Sequence, residues 1–154
     1  LILDWIPDQT IFSVDTFTNY TSSDYNGFFA DPDAAYSFQW NSPPFEILKD
    51  YKNSGKERQF KTLAEYSQAT GQDAHSILVD YDIFERVHPP VYPDEITKIF
   101  NADDLDFRIK PDSAAADAAC IIPNVNDAFN GEAPDLGALE AGLPAPHYGP
   151  RYKE

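Results

Sequence analysis

No apolar run in this chain is longer than five residues. The longest, Ala-Ala-Cys-Ile-Ile at 118–122, falls far short of the roughly 20 residues that a membrane-spanning helix needs. Elsewhere apolar residues come in small groups, separated by Asp-Pro, Pro-Pro, Asn-Gly and similar breakers, and the 154 residues include 13 prolines. Each proline removes a main-chain N–H and fixes φ, so it cannot sit inside a helix or a central strand. Such a chain is restricted to short strands, turns and long connections.

Local chemistry predicts one clear helix, at 62–70. Thr62-Leu-Ala-Glu65 is a capping box, in which the Thr hydroxyl accepts from the Glu65 N–H while the Glu carboxylate reaches back to the Thr62 N–H. Leu63, Tyr66 and Ala69 follow at helical spacing, and Gly71 stands where a left-handed residue ends a helix. A further helical turn is expected at 113–119, after Pro111. Strands are expected within 9–17, 23–29, 37–40, 75–80, 105–110 and 136–140. In 105–110 the alternation puts Leu105, Phe107 and Ile109 on one face and Asp106, Arg108 and Lys110 on the other. Connections long relative to their strands disfavour a hairpin sandwich and suit a solenoid, although no internal repeat is visible.

Charge excludes several classes of partner. The chain has 11 Lys and Arg against 26 Asp and Glu, a net charge of −15. Binding nucleic acid or an anionic membrane surface requires clustered positive charge. With 11 Phe, 9 Tyr and 2 Trp, the chain also has too much core-forming material for a disordered acidic tail. Residues 1–48 contain no Lys or Arg, whereas five of the 11 basic residues fall within 49–61, which reads as an exposed loop. Prolines at 123, 134, 144, 146 and 150 make the C-terminal part an extended tail. The start at Leu1-Ile-Leu3, with no Met in the chain, reads as a piece of something longer or as a mature protein after signal removal.

Three stretches carry a family resemblance. They are Ser23-Asp-Tyr-Asn-Gly-Phe28; Thr62-Leu-Ala-Glu-Tyr-Ser-Gln-Ala-Thr-Gly-Gln-Asp-Ala-His-Ser76; and Leu105-Asp-Phe-Arg-Ile-Lys-Pro-Asp-Ser-Ala-Ala-Ala-Asp-Ala118, followed by Ala133-Pro-Asp-Leu-Gly-Ala-Leu-Glu140 and Pro146-His-Tyr-Gly-Pro-Arg151. In order and spacing this resembles the C-terminal part of secreted bacterial right-handed parallel β-helix proteins, over about a third of the chain. The chain departs from the pattern at Asp112, Ala119 and Ala128, where the family has glycine. The resemblance implies an all-β fold, with parallel β-helix coils over 1–110, interrupted by the loop at 49–61 and the short helix at 62–70. A C-terminal cap with a Pro-rich tail would follow over 111–154. Asp117 and Asp135 would accept turn N–H groups in that cap. The implied location is extracellular or at the cell surface. The implied partners are an N-terminal remainder of the same β-helix, or a like copy, covering the first coil, and a polysaccharide.

Candidate chemistry is sparse. His75, His88 and His147 are scattered, no nucleophile elbow or phosphate-binding loop occurs, and Cys120 reads as a small hydrophobe. A lone cysteine excludes an intramolecular disulfide and a thiolate zinc site. No cofactor is expected. The EF-hand pattern fails around Gly131, which leaves only an irregular Ca²⁺ site at Asp103, Asp104 or Asp106. The acid pairs Asp31/Asp33 and Asp80/Asp82 have spacing suited to glycoside hydrolysis, but 26 acids produce such pairs by chance. Asn19-Tyr-Thr21 matches the glycosylation sequon and is read as incidental. Tyr36 and Trp40 are the candidate carbohydrate contacts; with Phe38 they share a strand alternation that also suits a core. The functional expectation is a non-catalytic segment of a carbohydrate-active or carbohydrate-binding protein. Any polysaccharide lyase or glycoside hydrolase residues would lie outside it. The alternative is a structural or adhesive surface protein without enzymatic activity.

Overall fold

A computed structural model of the chain describes residues 1–18, 20–43 and 58–144. Asn19 of the sequon, residues 49–57 of the expected loop, and 145–154 of the tail, including His147, lie outside the described residues. Two compact units are formed: Leu1–Tyr81 with His88–Phe100, and Asp82–Val87 with the chain from Asn101 onward.

The first unit holds two three-stranded sheets and one helix. Strands β1 (Ile2–Leu3), β3 (Gly27–Phe29) and β6 (Ile77–Leu78) form a parallel sheet in the order β1-β3-β6. Strands β2 (Phe12–Val14), β4 (Phe38–Trp40) and β5 (Gln59–Phe60) form the second, with β2 parallel and β5 antiparallel to β4. Ile2 pairs with Phe28 and Phe12 with Phe38, so two passes of the chain are stacked with the same 26-residue offset. The next pass breaks this order. Gly27 pairs with Ile77, 50 residues on, and the corresponding place in the second sheet is taken by an antiparallel strand.

The expectation of an all-β parallel β-helix is therefore overturned. The described residues form three small sheets, one parallel, one mixed and one antiparallel, and one helix, an α/β arrangement with no closed or solenoid sheet. The physical reason lies in the 50-residue detour. It returns through Gln59–Phe60, in a stretch expected to be loop, and Arg58 fixes that return. Its N–H donates to Asn41 Oδ1 at 2.9 Å and its Nε to the Trp40 carbonyl at 3.1 Å.

Helix α1 (Leu63–Thr70) forms as its caps require. Thr62 Oγ1 accepts from the Glu65 N–H at 3.2 Å, Glu65 Oε2 accepts from the Thr62 N–H at 3.1 Å, and Gly71 adopts φ 70°. The helix places Tyr66 in the core with Phe28, Phe38 and Trp40, and partly buried Ile2, Ile11, Phe12, Val14, Phe60 and Leu63 pack around them. Phe38 stacks on Tyr66 at 5.2 Å between ring centroids, and Phe28 meets Phe38 edge-on at 5.2 Å. Ala69, expected on the apolar side, is exposed.

The second unit is built around the antiparallel pair β7 (Phe84–Arg86) and β8 (Asp106–Ile109), a pairing interrupted by a bulge. Ile109 is buried, whereas Phe107 is exposed apart from an edge-on contact with Phe84 at 5.4 Å. The expected helical turn at 113–119 and strand at 136–140 are both turns. Carboxylates hold these turns together. Asp135 accepts from the N–H groups of Asp117 at 2.8 Å and Ala141 at 2.6 Å, and Asp117 Oδ1 accepts from Glu132 and Ala133 at 2.8 and 3.0 Å. Left-handed backbone falls at Asp117 (φ 53°) and Asn124 (φ 65°), and not at Asp112, Ala119 or Ala128, where glycine was missed. Gly131 is required where it stands. A Cβ there would lie 2.2 Å from Asp117 Oδ1.

Candidate functional site

The residues singled out in the sequence separate into closed and open groups. Trp40 is 3% exposed and its ring lies 6.1 Å from Tyr66, so it belongs to the core; Tyr36 is half-buried in the approach to β4. Strand β6 stops at Leu78 and a tight turn begins at Tyr81, so the extended geometry that would align Asp80 with Asp82 is not formed. Asp106 is engaged by Arg108, and the carbonyls of Asp103 and Asp104 accept from Arg86 at 3.0 Å. Among the described residues, no group of three or more His, Cys, Asp or Glu side chains is placed to hold a metal ion.

The stretches 23–28 and 71–76, which both carried the family resemblance, meet in a polar knot. Asp73, 1% exposed and held at φ 52°, accepts on Oδ1 from Ser23 Oγ, Asn26 Nδ2 and Ser76 Oγ, and on Oδ2 from the Tyr66 hydroxyl at 2.9 Å. Burial pushes the Tyr66 phenol up, and the Asp73 carboxylate adds to the effect, so the hydroxyl stays a donor. At the knot's surface, His75 Nδ1 lies 2.7 Å from Asp24 Oδ2 and its ring stacks on Tyr25 at 4.9 Å. Partial desolvation opposes ionisation of Asp24, but hydrogen bonds from the His75 ring and main chain and the Tyr25 N–H outweigh it and hold the carboxyl low. With these Asp73 contacts made inside the protein, the knot ties the segment before β3 to the segment before β6.

The open group lies where β1 and β3 end. These parallel strands run side by side, and the turns that follow them, at 4–8 and 29–33, enclose a cleft of about 430 Å³. Clefts outside the carboxyl ends of parallel strands are recurrent ligand sites, and this volume lies within the range of small-molecule pockets. Asp4 bends the chain out of β1: its Oδ1 accepts from the N–H groups of Trp5 at 2.7 Å and Ile6 at 3.0 Å. Asp31 shapes the other side, accepting from the Asp8 N–H at 2.8 Å and the Asp33 N–H at 2.9 Å. Those two N–H groups hold the Asp31 carboxyl below its ordinary value, so it remains an anion. Pro7 and Pro32 fix the turns, and Asp8 sits in left-handed backbone at φ 62°.

The cleft is lined by Asp4, Asp8, Asp31 and Asp33 together with Trp5, Phe29 and neighbouring Ile6, Pro7 and Pro32; among the described residues, no Lys, Arg or His lines it. Asp4 Oδ2 is shielded from solvent and receives no hydrogen bond from the described residues. Such a site offers hydrogen-bond acceptors beside aromatic carbon and repels anions. Asp31 and Asp33, weighed in the sequence only as a chance pair, line it; Trp5 was not singled out. A signal for it was present, since Asp4-Trp-Ile-Pro-Asp8 and Asp31-Pro-Asp33 are the two places near the N-terminus where Pro-Asp turns immediately follow apolar strand residues.

In comparisons with known proteins, no family, no curated protein and no solved structure matches the chain. Among the described residues, no helix is long and apolar enough to cross a membrane.

Proposed function

We propose that this chain is a non-catalytic carbohydrate-binding segment whose ligand is a neutral or amino-bearing glycan held in the cleft after β1 and β3. The observation that carries this reading is the lining itself: the Trp5 and Phe29 rings beside four carboxylates, with no basic side chain among the described residues. Aromatic faces are electron-rich and attract the polarised C–H face of a sugar ring, and carboxylates accept from pairs of hydroxyls. Uronic acids and sulfated sugars meet only like charge there. Asp31, kept ionised by two N–H groups, gives the cleft a standing hydrogen-bond acceptor for a sugar hydroxyl.

Calorimetric titration with neutral, amino and uronic-acid oligosaccharides tests the reading. Binding of the first two classes, lost in Trp5→Ala, is expected; binding of uronates alone, or of no sugar, overturns it. A structural or adhesive role is the second reading. It draws support from the exposed apolar side chains of Val91, Ile96 and Ile99, the last 95% exposed. Concentration-dependent self-association in the ultracentrifuge without any glycan binding would favour it.

A further inference from the structure

We propose that the cleft is one half of a two-unit glycan site and that Tyr92 is the platform for the second sugar. The inference rests on the carbohydrate reading of the cleft. Tyr92 does not line the cleft, but its ring meets Trp5, which does, at 6.4 Å between centroids and an interplanar angle of 63°. The Tyr92 side of this pair is 46% exposed. Two rings in contact at a steep angle present faces that one flat sugar cannot cover together. Two linked sugars, turned about their glycosidic bond, can each lie on one face.

The backbone that carries each ring is held in place before a ligand arrives. The Asp4 carboxylate accepts from the Trp5 main-chain N–H at 2.7 Å. Glu95 closes the turn that carries Tyr92: its N–H donates to the Val91 carbonyl at 2.8 Å and its Oε2 accepts from the Val91 N–H at 2.9 Å. Lys98 pairs with the same Glu95 carboxylate, which confines its positive charge to the turn. Little backbone ordering is therefore left for a ligand to impose at either platform, and each ring's contact with the other limits its own freedom. Tyr92 is thereby assigned as a residue that selects ligand length, with Trp5 selecting the sugar that occupies the cleft.

The test compares glucose, cellobiose and cellotetraose, and glucosamine with its β-1,4 dimer and tetramer, by calorimetry on the whole chain. In the series that binds, the dimer is expected to bind about three- to tenfold more tightly than the monomer, the worth of one aromatic contact. Tyr92→Ala brings the ratio of monomer to dimer Kd down towards one, whereas Tyr92→Phe, which keeps the ring, retains it. Circular dichroism of both variants controls for folding, and Tyr92→Leu replaces Tyr92→Ala if the latter does not fold. Equal monomer and dimer affinity in the unmodified chain overturns the inference and leaves the cleft reading standing. So does an equal weakening of both ligands by Tyr92→Ala. Absence of binding by every sugar overturns both.

Discussion

The two units bury different things. The first gathers Phe28, Phe38, Trp40 and Tyr66, all nearly inaccessible, between two sheets and a helix. Among its described residues the second buries one aromatic ring, Phe84, alongside Ile83, Val87, Ile109, Ala115, Leu136 and Ala141, of which the alanines bring little area out of water. It makes up the difference with Asp117 and Asp135, whose oxygens satisfy turn N–H groups that no strand or helix serves. The first unit thus adds ring bulk to its buried carboxylate Asp73, whereas the second, with few strands to hang rings on, leans on its carboxylates.

The contrast can be broken by substitution. Phe28→Ala is expected to have the largest effect, about 3–5 kcal/mol by chemical denaturation, because a fully buried ring leaves a cavity. A cost no greater than that of Asp135→Ala would undo the distinction between the units. Asp135→Ala should cost roughly 2–3 kcal/mol, with the amides of Asp117 and Ala141 the first to gain hydrogen exchange. Unchanged exchange at those two amides would show that the turns hold without their carboxylate. Tyr66→Phe keeps the ring packing and strips one donor from buried Asp73, so a loss of about 1–3 kcal/mol separates the polar share of the first core from its apolar share.

The smallest effect is a pH dependence in the second unit. Hydrogen bonds from Arg108 hold Asp106 down at about 2. A depressed carboxylate contributes stability above its unfolded value of about 4 and loses it as pH falls through the folded value, so the window is the acid one between them. An NMR titration should find Asp106 near 2, rising towards the ordinary carboxylate value in Arg108→Gln. A midpoint already ordinary in the unmodified chain would remove the pair from the account.

What could be read from the sequence follows the range of the interactions involved. Helix 62–70 was legible because Thr62, Glu65 and Gly71 act within a few residues of one another. Strand cores at Phe12, Phe28 and Phe38 were legible because breakers bracket them. Gln59–Phe60 was not: its two residues look like the polar loop before them, and they are made a strand by Arg58 and the edge of β4, almost 20 residues earlier. Phe84–Arg86 was missed for the same reason, being paired only through Ile109 and Asp106. The solenoid expectation failed at the one point that no local pattern encodes, the direction in which the chain returns after its detour. In the cleft, Asp31 and Asp33 drew notice as acids, but Trp5 gains its meaning only from the parallel pairing that brings residues 4–8 beside 29–33.

The chain's two tryptophans fall one in the core and one in the cleft. Each therefore reports optically on a different event. Emission from Trp40, enclosed by rings, shifts to the red when the first unit comes apart. Emission from Trp5 changes when something enters beside it. Quenching by a sugar that vanishes in Trp5→Phe, in a protein whose remaining signal still follows denaturant, would assign light from one residue to occupancy and from the other to integrity.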